Sequence, residues 1–537
     1  MPARVGFVRA MPRQQKIDEA IDAVNAALVL HPDSAVLLAT EGTFPFARGG
    51  VSTWCDRLTR GLPDIDFRLL AVVTNPYEQL KYELAPNVRE VIKVPQWGLV
   101  QPAEYSRHNS ASAVLSHLWD TTPKTIAAGF QSPFERFLAL IFSNDSNYHE
   151  LGSLLLELQK YFQFHDYAET MNSVCAWNVF CEAAATTSHF RPAGTEDPTF
   201  GELKQAYRLL YHLFIVLHFP IPDADMTHSS AASFCGIPCV QAKLVNNTPY
   251  LLTEHGVYLR EQYLNLRNYI ESFFVRWFLY RLTRKVVELN YHFADQVSPV
   301  CAYNARWEEH LGVSPDRIKV LFNGVDPQKF HREEPEPHTR PFVATVGLIY
   351  PLKDQLNLIS AADILRQKFP DLDLRFYGNV SDAKYFEACK KKVADLKLEN
   401  HATFPGPTTE PWKVYSNADV IAFTSISEAF PYVVVEAMLC GAAIVATDVG
   451  GVREALGEAG ILVPAKSPRE VADAVSFLLD NPAEREKLGA MARARALQYF
   501  TEERFLDTYR STYARMVSRR SQQLVPLLEG ERERRFA

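Results

Sequence analysis

Glu428 and Glu436 stand in one stretch, Ser425 to Glu436, that sets two carboxylates around a helix start. The residues before it, Ala418 to Thr424, are a short apolar, β-branched run of the kind that forms a buried parallel strand. Those after it, Ala437 to Gly441, continue a helix that stops at glycine. Pro431 suits the first helical position, where a missing N–H has no intrahelical partner to lose. Glu428 then falls in the strand-to-helix loop and Glu436 more than a turn into the helix. Two carboxylates and the free N–H groups of the helix start face one crevice at the carboxyl edge of a sheet, where open α/β sheets bind ligands. Upstream, Val346 to Asp354 follows another strand, and its Lys353 places a point charge at the mouth of a βα crevice, a position suited to phosphate. Asp448-Val449-Gly450-Gly451-Val452-Arg453-Glu454 is a further strand–glycine–helix turn on the same edge. A lone glutamate here would read as solvated helix surface; several such turns in one order do not.

These turns need sheets to carry them. At 537 residues the chain is too long for one core, and two or three domains are expected. A net charge of −7 gives no reason to expect nucleic acid as partner. The eight cysteines are scattered, and Cys235-Gly-Ile-Pro-Cys239 lacks a second Cys/His pair nearby, so reduced cysteines rather than zinc are expected. Residues 1–32 read as an amphipathic helical extension without a signal-peptide core. The longest apolar run, Leu209 to Pro222, contains two histidines and falls short of the roughly 18 apolar residues of a membrane span. A cytoplasmic protein is expected, with peripheral contact at the inner face of the plasma membrane as an open alternative.

A first α/β domain is expected over 33–330. Its opening strand runs into Glu41 to Gly50, and a helix begins at Val51. Glycines there let the backbone approach a ligand, and the helix start offers N–H groups to an anion, although no dinucleotide fingerprint is present. Residues 102–208 switch to helical periodicity rich in aromatics and read as a helical insertion whose stripe is core. Glu261 to Asn290 reads as one helix mixing Phe273, Trp277 and Tyr280 with Arg276, Arg281, Arg284 and Lys285; packing on the sheet is the simpler reading, with a membrane or partner surface as the alternative. Residues 331–341, polar and proline-rich, mark a linker. A second α/β series follows over 342–485, and helices over 486–537 are expected to cross back to the first domain and end in a frayed tail. Asp371 and Asp373 lie at a strand entry and read as solvated.

In this order, Asn323-Gly-Val-Asp326, Val346-Gly-Leu-Ile-Tyr-Pro-Leu-Lys-Asp354, the glutamate pair and Ala446-Thr-Asp-Val-Gly-Gly-Val-Arg-Glu454 resemble glycosyltransferase family 4. Glu41 to Trp54 and Leu252 to Tyr258 narrow the similarity to the Pel exopolysaccharide glycosyltransferase group. The resemblance implies a GT-B architecture: two Rossmann-like domains facing a cleft, the first with a helical insertion. It implies a retaining, metal-independent hexosyltransferase without a cofactor, moving sugar from a nucleotide donor, UDP first, to a growing glycan. Nucleotide sugar and glycan acceptor are the expected partners, with peripheral association to a membrane polysaccharide synthase complex left open. By the same resemblance, Glu428, Lys353 and His255 are catalytic. Lys353 grips the diphosphate, with Gly49 and Gly50 closing over it. Glu428, Ala429 and Phe430 hold the transferred sugar, Glu436 the ribose, and Gly378, Phe404 and Pro405 lie by the base. Leu348 departs from the pattern, standing where the family carries a diphosphate-binding arginine. Arg48 or Arg453 is expected to compensate; the alternative is an impaired nucleotide-sugar-binding or scaffold subunit.

Overall fold

The computed structural model describes residues 34–99, 101–105, 110–186 and 195–518, so the expected extension at 1–32 and the frayed tail lie outside the described residues. The chain divides into two units. One comprises the described residues to Ser298, Glu308–Lys319 and those from Asp507; the other comprises Pro299–Trp307 and Val320–Leu506.

In the first unit, strands β1 (Ala35–Glu41), β2 (Asp66–Val73), β3 (Val88–Pro95), β4 (Met226–Ser229), β5 (Tyr250–Glu254) and β6 (Gln296–Pro299) order as β3-β2-β1-β4-β5-β6. The second repeats the pattern with β7 (Phe342–Val346), β8 (Asp373–Tyr377), β9 (Ala402–Gly406), β10 (Val420–Phe423), β11 (Ile444–Thr447) and β12 (Ile461–Val463), ordered β12-β11-β10-β7-β8-β9. Both are the doubly wound Rossmann order, whose winding reverses between β1 and β4 and again between β7 and β10. The recorded registers are parallel in both sheets.

Burial explains why the second series reads as unbroken apolar runs. Phe342, Ala344, Ile421, Phe423, Ile444 and Ala446 join the core on one face, while Val343, Val420, Ala422 and Val445 join another. Alternate residues of a strand point to opposite faces, so a strand covered on both sides must be apolar throughout. In the first unit, helices from Ala111–Asp120 to Phe200–Leu213 lie between β3 and β4. Their Phe130, Phe134, Phe137, Tyr161 and Phe162 sit in one cluster with Leu37, Leu70 and Val94 of the sheet, so the aromatic stripe is core.

Four readings are corrected. The expected single helix 261–290 is two, Tyr258–Tyr269 and Phe273–Phe293, separated where the Ser272 side chain accepts from Val275 N–H and caps the second. Pro431 is the residue before the helix Tyr432–Leu439, with extended backbone, rather than its first member. Asp373 is not simply solvated: it forms an ion pair with Arg375 at 2.6 Å. Residues 331–341 belong to the second unit, where Glu333 and Glu336 N–H groups donate to Ser416 and Asn417. All eight cysteines are free. Among the described residues no helix is long and apolar enough to cross a membrane.

Candidate functional site

The loops after β7 and β10 flank the winding reversal of the second sheet, and they are tied together there. After β7 the chain passes Gly347 and makes a short turn, Pro351–Lys353, before the helix Gln355–Leu365. The Thr424 hydroxyl donates to the carbonyls of Lys353 and Asp354 at 3.2 and 3.0 Å, and Ile426 N–H donates to Leu352 O at 2.8 Å. This lacing brings the Lys353 ammonium to Glu428 Oε1 at 2.5 Å, and Ser425 Oγ donates to the same oxygen at 2.6 Å. The ion pair is partly open, with side-chain exposures of 29% and 13%.

The loop after β11 props this arrangement. Gly451 N–H donates to Ala429 O at 2.8 Å. A Cβ on Gly450 would fall 1.5 Å from the Glu428 carbonyl oxygen, and Gly450 has φ +56°, so the close approach demands glycine twice over. The Ala429 and Phe430 N–H groups have no partner among the described residues and lie just before the helix Tyr432–Leu439. The Phe430 ring is core, against Phe322 and Phe500. Glu436, on that helix, accepts from the buried Tyr415 hydroxyl at 3.1 Å.

The remaining expected donor residues are placed unevenly. Gly378 backs directly onto Gly347 O, where a Cβ would fall 1.8 Å away. The Phe404 ring stacks on Phe376 and meets Phe386 edge-on, leaving backbone and the exposed Pro405 rather than that ring for a ligand. Leu348 is 48% exposed. Arg453 donates to Asp448 at 3.0 Å, so its charge is already answered. Arg48, exposed in the loop after β1, has no hydrogen bond or ion pair among the described residues.

In the first unit Gly49 precedes the helix Gly50–Gly61, and a Cβ there would meet nothing within 4 Å. His255 follows β5. Its ring meets Trp54 edge-on at 4.7 Å, its Nε2 is buried without a partner, and burial pushes its pKa down to about 3. It is therefore a neutral imidazole at ordinary pH. Behind it, His228 is fully buried, with Nδ1 by the Tyr513 hydroxyl at 2.7 Å and Nε2 by Thr253 Oγ1 at 2.8 Å.

The sequence reading missed three enclosed acids of this unit, Glu254 and Glu308 buried and Glu41 half-buried. Glu41, ending β1, accepts from Tyr258 OH at 2.8 Å and Cys235 N–H at 3.1 Å. Glu254, ending β5, accepts from Tyr291 OH at 2.5 Å and Ala232 N–H at 3.3 Å. Glu308 is fully buried with both carboxylate oxygens unpartnered. Burial raises the pKa of all three. The signal was available: Glu41 and Glu254 each close an apolar strand run, where a side chain at the sheet edge faces the ligand crevice.

Residues 34–316, more than half of the chain, match a family described as a domain of unknown function (DUF3492), and residues 326–495 match glycosyl transferases group 1. The D-inositol 3-phosphate glycosyltransferase of Pseudarthrobacter chlorophenolicus is 38% identical over 182 residues, 32% of this chain and 40% of the relative. That of Paenarthrobacter aurescens is 35% identical over 203 residues, covering 35% and 49%. The chain thus spans about half or less of these curated relatives. In fold it is similar to Anabaena Alr3699/HepE, solved in complex with UDP, with a TM-score of 0.54, 15% identity and coverage of 90% and 99%. Sucrose-phosphate synthase of Thermosynechococcus elongatus gives a TM-score of 0.55 at 17% identity, with the same coverage. With residues 34–316 matched and a group 1 segment following them, the chain belongs to the DUF3492 family and carries a glycosyl transferases group 1 domain.

Proposed function

We propose that the chain is a retaining hexosyltransferase that takes sugar from a nucleotide donor, UDP-linked, and passes it to a growing exopolysaccharide glycan. The observation that carries this reading is the Lys353–Glu428 pair, held at the winding reversal of the second sheet beside the open N–H groups of Ala429 and Phe430. A leaving diphosphate gains negative charge, and a preplaced ammonium with helix-start N–H groups stabilises it as it departs. Glu428 answers the lysine in the pair; a bound diphosphate would take over Lys353 and free the carboxylate for sugar hydroxyls. Glu436 would hold the ribose, and neutral His255 can orient hydroxyls by hydrogen bonding without adding charge. The structure of Alr3699/HepE with UDP and the sugar-transferring relatives support this donor class. The reading takes transfer as metal-independent, so turnover should survive EDTA.

The test is a panel of nucleotide sugars scored for thermal stabilisation of the purified protein, since a ligand of the folded state alone raises stability by mass action. A UDP-sugar should stabilise selectively, and Lys353→Ala and Glu436→Ala should each abolish the shift. An unchanged shift in both variants would place the nucleotide elsewhere.

A further inference from the structure

A cavity in the first unit, far along the chain from the donor residues, carries more positive charge than its surroundings use. It has a volume of 330 Å³ and is lined by Ser143, Asn144 and Ser146 together with Arg281, Arg284, Lys285 and Glu288. That size is at the lower end of the roughly 300–1,000 Å³ of small-molecule sites. The four charged residues share one face of the helix Phe273–Phe293, at i, i+3, i+4 and i+7.

Two of the cations have structural duties. Arg281 Nε donates to Ile141 O at 3.1 Å, and its guanidinium also reaches Ser143 O and the Asn144 side chain, closing the end of the helix Gln131–Phe142. Lys285, buried, donates to Asp145 O. The one lining carboxylate is used on both oxygens: Arg284 Nε donates to Glu288 Oε1 at 2.8 Å and Tyr148 OH to Oε2 at 2.5 Å. Three cations therefore face two acids, Glu288 and the exposed Asp145, whose carboxylate also acts on Lys285. The two terminal nitrogens of Arg284 have no partner among the described residues, and that side chain is half exposed at 51%. Lys285 has spent one of its three N–H groups. Burial and the neighbouring guanidinium groups hold its pKa below the ordinary lysine value.

We infer that this cavity binds a phosphate-bearing anion, a diphosphate or phosphomonoester, with Arg284 as the open fork and Lys285 as the buried point charge. Guanidinium matches phosphate oxygens in a planar, two-pronged geometry, and the ammonium adds charge from beneath. The Ser146 hydroxyl lines the same space and can donate to a remaining oxygen, while that of Ser143 already donates to Leu140 O at 3.3 Å. An anion here would offset the like-charge repulsion within a single helical turn. The inference stands on the first unit alone and does not depend on the transferase reading. The same chemistry could arrive as a soluble phosphate compound or as the headgroup of an anionic lipid.

The full chain carrying Lys353→Ala, which removes the expected donor-site grip, is titrated calorimetrically with inorganic pyrophosphate at low salt. One binding event should remain, and adding Arg284→Gln should weaken it about tenfold, the loss expected for one charge-assisted contact. Ser146→Asp, which adds a negative charge to the cavity from an exposed loop, should weaken it likewise while leaving the melting point of the free protein unchanged. Flotation with phosphatidylcholine vesicles, with and without phosphatidic acid, identifies the source. Capture by the acidic vesicles that Arg284→Gln abolishes names a lipid headgroup, whereas pyrophosphate binding without capture names a soluble ligand. No pyrophosphate event in the Lys353→Ala protein together with no vesicle capture overturns the inference. So does binding that neither cavity variant alters.

Discussion

Leu348 stands exposed beside Gly347, where the family resemblance leads one to expect an arginine that shares the diphosphate with Lys353. Arg453 is tied to Asp448 and Arg48 is unengaged, so of the two expected substitutes only Arg48 keeps its charge available. Leu348→Arg should raise donor affinity a few-fold, the scale of one exposed charge-assisted contact, with turnover nearly unchanged. A rise in turnover by several orders of magnitude would mark the parent as catalytically impaired. Glu308 offers a second single-residue test. Burial, with Glu254 and Glu309 nearby, raises its pKa above the ordinary 4.5. The folded chain therefore keeps a proton that the unfolded chain releases. That contribution to stability is complete below the ordinary carboxylate range and is lost as pH rises through the folded-state pKa. Glu308→Gln should melt higher than the parent near about pH 8, by an amount worth more than about 1 kcal/mol, and the gap should close towards about pH 4. A constant gap across melts at several pH values would refute the assignment. Neither Glu308 nor its missing partners could be read from the chain, because burial without a partner is a property of neighbours distant in sequence.

At the level of elements, the glycine turns divide into two kinds that look alike in sequence. Gly450 is backed against Glu428 O at positive φ, whereas Gly49 faces open space. Gly450→Ala should destabilise the second unit by about 2 kcal/mol or more and weaken donor binding through the displaced Glu428 loop. Gly49→Ala should leave the melting temperature unchanged, and any loss of activity it causes would come from a ligand approaching that backbone. Equal melting of both variants would contradict this distinction. Strand and helix identities around Lys353 and Glu428 were legible because apolar runs with glycine and proline punctuation are local signals. The break at Ile270–Ser272 was legible in principle, through Ser272 as a capping residue, but continuous helical periodicity on both sides outweighed it.

On the scale of the whole molecule, the chain enters the first unit again at Asp507. Residues 502–518 are helical, and Tyr509 and Tyr513 are fully buried there against Trp54 and His228. Deleting the chain from Asp507 onward should uncover these rings and leave His228 Nδ1 without its hydroxyl. Each unsatisfied buried polar group costs about 1–3 kcal/mol, and each buried tyrosine adds a comparable loss of apolar burial. Calorimetry should then show the transition of the first unit shifted down and that of the second retained. A single unshifted transition would mean that these contacts contribute little.

Composition and the alternation of apolar runs and glycine turns determined two α/β series and the loops that would carry chemistry, while two Rossmann-like domains were what the family resemblance implied. The series and loops follow from short-range physics: residue periodicity, backbone freedom at glycine, and the free N–H groups of a helix start. Which side chains meet was decided only by the tertiary structure. Glu428 pairs with Lys353 because the winding reversal sets the β7 and β10 loops side by side, whereas the pair that withdraws Arg453 is local, with Asp448 five residues away. The contact of Glu41 with Cys235 and that of Arg281 with Ile141 in the cationic cavity are likewise meetings of distant segments, and no local pattern encodes a neighbour more than a hundred residues away.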